Sequence, residues 1–265
     1  MITYLQGKAS MDLMKPLRRR MPMSQLERGF DFDDACKLYL PFYRQKSTSA
    51  YIYDQSGNNN HATIIGAVPT TLASPPIGWY CDGTDDRITL SNVFTTNQTG
   101  LVVLSWVYCH SFDQNVGVAK RDVIINNYGS NQGYQLCANH SGANQTTWQF
   151  RIHDGTSEVS LDAGYSADAT FTTAWTNKWL CICGSFEASA RMKFWINGSG
   201  AVADKTAGVP AQMTPNTVAS DYIAYYSAAV VYSNFTFAEI AIFNRPFSDT
   251  ELRNYYETTR RKYGV

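Results

Sequence analysis

From residue 36 onward, apolar and polar positions alternate in runs too short for helices. Leu38, Leu40 and Phe42 alternate with Lys37, Tyr39 and Pro41. Similar runs occupy 63–65, 88–90, 101–108, 123–125, 134–137, 148–152, 179–186, 192–196, 222–226 and 235–243. Stretches rich in Gly, Asn, Asp and Pro separate them, at 54–60, 75–78 and 197–200. A period of two punctuated by such turns predicts strands. About a dozen strands with no helix between them predict an all-β chain of two packed antiparallel sheets. Asn197-Gly198, directly after 192–196, predicts a tight hairpin, because both residues tolerate positive φ.

The two ends break the pattern. Residues 1–35 are basic, rich in Met and not strand-like. At the other end, Ser248-x-x-Glu251 precedes Leu252, Tyr255, Tyr256 and Tyr263. That predicts a capped amphipathic helix near 248–262, since the Ser hydroxyl and Glu carboxylate satisfy the first free amides. The expected organisation is an arm over 1–35 and a β domain over 36–265 that includes the helix.

Composition supports the strands and limits the partners. Of the 265 residues, 44% are hydrophobic and 14% aromatic but only 17% charged. A formal net charge of zero argues against nucleic acid binding through the sandwich. Residues 1–30 hold Lys8, Lys15, Arg18, Arg19, Arg20 and Arg28 against Asp12 and Glu27, so the arm is +4 and the remainder −4. Such an arm is either a solvated leader or a segment that docks on an acidic neighbour. No stretch reaches the roughly 18 apolar residues of a membrane span, and the start lacks the apolar run of an export signal. The six cysteines are scattered without metal-ligand spacing, and read as small reduced core residues.

Six segments in order resemble a known family. The strand 37–42 looks like its opening strand, and Asp54-Gln-Ser-Gly-Asn-Asn-Asn-His61-Ala62 is similar to D-x-S-G-x-x-N-H-[GA]. Tyr80-Cys-Asp-Gly-Thr-Asp-Asp86 resembles F-D-G-x-D-D, with Cys81 in the aromatic slot. The 103–107 strand with Trp106, the pair Trp179 and Phe194-Trp-Ile-Asn-Gly198, and the segment 239–248 match the remaining motifs. Together they resemble the laminin-G-like jelly roll of the concanavalin A-like lectin/glucanase superfamily, of the kind found in structural proteins of tailed viruses. The resemblance covers about residues 36–260. It implies a two-sheet antiparallel jelly-roll sandwich.

Glucanases of this fold carry paired carboxylates as E-x-D-x-x-E, spaced for acid/base work. None of Glu27, Glu158, Glu187, Glu239, Glu251 and Glu257 has a carboxylate two residues on, so a non-enzymatic module without a resident cofactor is expected. The resemblance implies one exception, a structural calcium held by Asp54, Asp82 and Glu239, with Asp85 and Asp86 nearby. Ca²⁺ takes six to eight hard oxygens, but Asp in these loops equally caps turns. Tyr128, Tyr134, Trp148 and His153, near Asn126, Asn127 and Asn139, are candidates for a glycan platform, with core burial as the alternative. Arg18, Arg19, Arg20, Met21, Met23 and Leu26 are the candidates for assembly contacts.

Two functions follow. One is a virion-associated protein (capsid decoration, fibre or accessory) made in the cytoplasm without an export signal. Its arm would join other subunits of a large particle, as a homo-oligomer or otherwise. The alternative is a stand-alone, extracellular carbohydrate-binding lectin or adhesin.

Overall fold

The computed structural model describes residues 32–46, 48–71, 77–112, 120–141, 145–198, 200–218 and 220–265. The first strands are β1 (Cys36–Pro41), β2 (Tyr51–Ile52), β3 (Ala62–Ile65), β4 (Val68–Thr71), β5 (Ile77–Asp82) and β6 (Arg87–Leu90). Five longer ones follow: β7 (Gly100–Cys109), β8 (Lys120–Asn126), β9 (Tyr134–Ser141), β10 (Gln145–His153) and β11 (Glu158–Ala167). Helix α1 (Asp168–Trp175) leads to β12 (Trp179–Glu187), β13 (Arg191–Ile196) and β14 (Ala201–Lys205). The rest is β15 (Asp221–Ile223), β16 (Tyr225–Tyr226), β17 (Val231–Tyr232), β18 (Asn234–Phe243) and α2 (Asp249–Thr259), which ends in a 3-10 turn over Arg260–Tyr263.

Two antiparallel sheets result, as the alternation predicts. The first runs β14-β13-β12-β7-β18-β5-β4, with β1 also on β18, and the second runs β11-β10-β9-β8-β15-β6-β3-β2. The main core lies between them and includes Leu101, Val103, Trp148, Phe150, Phe194, Ile240 and Ile242. Gly184 permits the closest approach across it, since a Cβ there would stand 2.4 Å from the Phe150 ring.

The first sheet is covered on both faces. A second apolar cluster on its outer side joins Val102, Leu104, Trp106 and Trp195 to Leu252, Tyr255 and Tyr263 of the C-terminal segment. This explains why β7 is hydrophobic on both faces, interrupted only by Ser105, whose hydroxyl donates to the Glu239 carbonyl at 3.1 Å. Ser248 caps α2 by accepting from the Glu251 amide at 3.2 Å, and Glu251 accepts from the Ser248 amide at 2.9 Å. The turn after β13 has φ of 55° at Asn197 and 64° at Gly198. A Cβ at Gly198 would stand 2.5 Å from the Tyr256 ring, so both backbone and packing require glycine there.

Strands β2, β4, β5, β11, β14 and β17 fall outside the expected runs, and two further elements depart from the sequence reading. Helix α1 interrupts the strands, where none was expected between them. Its Thr-rich sequence has poor helix propensity, and burial of Phe171 against Phe112 and Trp148 holds it in place. The expected strand 222–226 is broken at Ala224, whose φ of 62° turns the chain out of the second sheet. β16 and β17 then pair only with each other. The Ser233 amide closes the base of this hairpin on the Ala224 carbonyl at 2.9 Å.

Arg18, Arg19, Arg20, Met21, Met23 and Leu26 lie outside the described residues. Where the description begins, Phe32 packs on Tyr39 with ring centroids 4.3 Å apart, and Asp33 pairs with Arg245 at 2.9 Å.

Candidate functional site

The acidic residues do not converge. Asp54 closes its own loop: Oδ1 accepts from the amides of Tyr39 and Ser56, and Oδ2 from the Asn60 amide and the Ser56 hydroxyl. Glu239 is buried on the other side of Tyr39, beneath the C-terminal segment. Its Oε2 accepts from Tyr255 at 2.9 Å and Tyr39 at 3.4 Å, and its Oε1 from Tyr263 at 2.5 Å and Lys262 at 3.2 Å. Asp82 instead groups with Asp85 and Asp86, each placing an oxygen within 4.8 Å of the others. Within that loop Asp82 accepts from the Thr84 amide, and Asp86 from the Asp82 amide. Asp54 and Asp82 thus follow the turn-capping alternative to the calcium set of Asp54, Asp82 and Glu239. Among the described residues these three form no common site, and the oxygens of Asp54 and Glu239 are committed to protein donors.

The expected glycan platform is also largely corrected. Tyr134 and Trp148 are both 0% exposed. Tyr134 donates to Asp221 at 3.2 Å, and Trp148 sits against Phe112 and Phe171. His153 is buried too, and burial lowers its pKa, so the ring is neutral near pH 7. Side chains alternate across a strand, so turning Tyr134 and Trp148 inward turns Gln135, Gln149, Arg151 and His153 outward, and the His153 ring is buried on that outer side with its centroid 4.7 Å from that of Tyr128. Asn127 is likewise internal, donating to Asp221 and the Asn216 carbonyl. Tyr128 alone of the four predicted residues keeps partial exposure. It donates to Glu158 at 2.9 Å, with the Arg151 guanidinium 4.6 Å and the Arg121 guanidinium 5.7 Å from its ring centroid. Burial would raise the Glu158 pKa, but hydrogen bonding and charge from Arg151 outweigh it and hold the carboxyl below its usual range. Tyr128 and the β16–β17 hairpin pack on Val123 and Cys137, which closes this half of the outer face.

The other half stays open, and register builds it. Ile52, Ala62, Ile88, Leu90 and Ile223 face the core, so Tyr51, Thr63, Arg87, Thr89 and Tyr222 face out. Pairing sets four of them side by side: Tyr51 opposite Thr63, Thr63 opposite Thr89, and Thr89 opposite Tyr222. Three strand spacings, about 14 Å, separate the two tyrosines. Tyr53 continues the edge, with its ring 5.2 Å from His61, and is 51% exposed against 47% for Tyr51.

The hairpin forms the opposite wall. Because the chain turns at Ala224, Tyr226 packs on Val123 and Cys137 while Tyr225 meets Tyr222 at 5.2 Å and Tyr232 at 4.8 Å. The Arg87 guanidinium stands 5.5 Å from the Tyr225 ring centroid. The result is a trough with tyrosines on both flanks, two threonines on its floor and an arginine beside the hairpin wall. On that floor Thr63 is exposed, whereas the Thr89 hydroxyl oxygen is itself buried and has no hydrogen-bond partner among the described residues. None of these residues was a sequence candidate for binding. Their alternation is visible in 51–53 and 87–90, but their proximity depends on which strands pair.

A family model described as the concanavalin A-like lectin/glucanases superfamily, laminin-G-like, matches residues 82–253. The chain belongs to this superfamily. A search of curated proteins by sequence found no match. Among solved structures, this superfamily member resembles the binding domain of Paraclostridial Mosquitocidal Protein 1 with a TM-score of 0.63 and 14% identity, over 85% of this chain and 52% of that one. The receptor binding domain of botulinum neurotoxin D gives a TM-score of 0.62 and 18% identity, over 86% and 53% of the two chains. The botulinum neurotoxin serotype D ligand binding domain in complex with N-acetylneuraminic acid gives 0.61 and 18%, over 84% and 51%. The chain thus spans about half the length of these structures. At such identities they establish the shared jelly roll and no more.

Proposed function

We propose that this laminin-G-like chain is a non-enzymatic binding module that takes up a carbohydrate in the open trough of its second sheet. The observation that carries this reading is the in-register row Tyr51–Thr63–Thr89–Tyr222. Tyrosine faces cover the apolar faces of sugar rings while an exposed hydroxyl between them, that of Thr63, exchanges hydrogen bonds, the combination expected of a small-molecule site. Structures of similar fold are described in complex with N-acetylneuraminic acid and with SialylT, which fits a saccharide ligand. The carboxylates offer no support for hydrolysis, because Asp54, Asp82, Asp86 and Glu239 are held by turns or buried hydroxyls. Titration calorimetry against a saccharide panel tests the reading. Tyr222→Ala should weaken the tightest ligand at least tenfold with circular dichroism unchanged. A wild-type protein that retains no saccharide at millimolar concentration overturns it.

A second reading concerns assembly and is compatible with the first. We propose that the basic leader joins this module to other subunits of a virion or similar particle, through Arg18, Arg19, Arg20, Met21, Met23 and Leu26. The observation in its favour is the anchoring of Phe32 and Asp33 on the sandwich, which fixes where the leader departs. Sedimentation of the full chain and of a chain lacking residues 1–31 tests it. Identical profiles for the two, in the presence of the particle's other proteins, would refute it.

A further inference from the structure

We infer that the trough selects saccharides that carry an oxyanion, a carboxylate or a sulfate ester, and that Arg87 is the residue that reads it. This rests on the carbohydrate reading above and sharpens it. Arg87 lies on the outer face of β6, half-buried, two residues from the floor threonine Thr89. Its guanidinium carbon stands 5.5 Å from the centroid of the Tyr225 ring. Among the described residues, no carboxylate pairs with it and no oxygen accepts from it. The other outer-face arginines differ. Arg151 donates to Glu158 and Gln135, and Arg121 donates to Asn139 and Tyr226.

The acids nearest in sequence to the trough residues form no ion pair with Arg87 among the described residues, and exposed Asp85 groups instead with Asp82 and Asp86. Asp86 precedes it but directs Oδ2 to the Asp82 amide and lies against Gly66, where Oδ1 would stand 1.9 Å from a Cβ. Asp221 precedes Tyr222 on β15 and is 0% exposed on the core side of that strand. It accepts there from the Val93 amide, Asn127 and Tyr134. On β3 the residue opposite Arg87 is Ile65, which carries no charge. An unpaired guanidinium held against an aromatic wall is oriented without being satisfied. Its planar fork matches the geometry of a carboxylate or sulfate better than that of a hydroxyl. The apolar body of the sugar would lie on Tyr222, with its acidic group toward Arg87.

The test uses the full chain and matched saccharides: lactose, 3′-sialyllactose and lactose 3′-sulfate, with galactan and polygalacturonate fragments as a second series. Affinities are measured by calorimetry at low salt. At least one acidic form should bind tenfold or more tightly than its neutral counterpart, about 1.4 kcal/mol. Whether the carboxylated or the sulfated form gains identifies the oxyanion. Arg87→Gln should remove that preference, so that the variant binds acidic and neutral forms alike, and Arg87→Lys should restore part of it. Tyr222→Ala should weaken neutral and acidic forms alike. Equal affinity for neutral and acidic forms in the wild type, or a preference that survives Arg87→Gln, overturns the inference and leaves the carbohydrate reading standing. Failure of the wild type to bind any of these ligands overturns both.

Discussion

Asp221 is a carboxyl that the fold keeps from ionising easily. Burial raises its pKa to about 7, against the lowering effect of its bonds to Val93, Asn127 and Tyr134. In the unfolded chain the same group releases its proton near 4. Between those values the native state binds more protons than the unfolded state, so this contribution to stability falls as pH rises from about 4 to 7 and levels off above. Asp221→Asn removes the titration. The melting temperature of the variant relative to wild type should therefore climb through that window; a flat difference from pH 4 to 8 would contradict the assignment. Glu239 is a buried carboxyl group surrounded by three tyrosine hydroxyls and Lys262. Glu239→Ala strands those donors in a buried site and should cost about 3–5 kcal/mol in chemical denaturation. Some of this residue-scale behaviour was legible in the sequence. In 148–152, Gln149 and Arg151 alternate with Trp148, Phe150 and Ile152, which already argues that Trp148 points inward. Tyr51, Thr89 and Tyr222 could not be grouped in that way. They lie far apart in the chain, and only the pairing of β2, β3, β6 and β15 brings them to one row.

Among the elements, the ones with a strong local signal were readable and those held by tertiary contacts were not. The capping box at Ser248 and the Asn197-Gly198 turn form as their residue types dictate. Ser248→Ala should destabilise the protein by about 1 kcal/mol, measured by urea unfolding, because the α2 amides lose a capping oxygen. Helix α1 has no such signal, since three of its eight residues are threonine. Buried Phe171 supplies what propensity does not. The break at Ala224 was equally hidden, because Ala gives no hint of positive φ and Tyr222-Ile-Ala-Tyr-Tyr226 reads as one strand. That break creates the hairpin wall of the trough. Ala224→Gly relieves the strained φ and should be neutral or slightly stabilising, whereas Ala224→Val should destabilise and weaken saccharide binding together.

For the whole molecule, the unequal treatment of the two sheets organises everything else. One sheet is sealed on both faces by the core and by the C-terminal helix, and the other leaves half of its outer face open. All six cysteines are buried and unpaired. For Cys81, Cys109 and Cys181, burial raises the thiol pKa well above its usual value. Ellman titration should thus find essentially no reactive thiol in the native protein and six after denaturation without reductant. Fewer than four in the denatured sample would point to disulfides the fold does not contain.

The Glu239 contacts also order events in time. As a ribosome makes this chain, the carboxylate of β18 emerges well before Tyr255, Lys262 and Tyr263. At roughly 5–20 residues per second, those donors arrive one to several seconds later. Until then the carboxyl on that strand of the first sheet lacks three of its four donors. A nascent chain stopped in that interval therefore cannot close its sheet, and it offers a quality-control protease an unfinished edge. Completed chains lose that vulnerability once the C-terminal tyrosines dock.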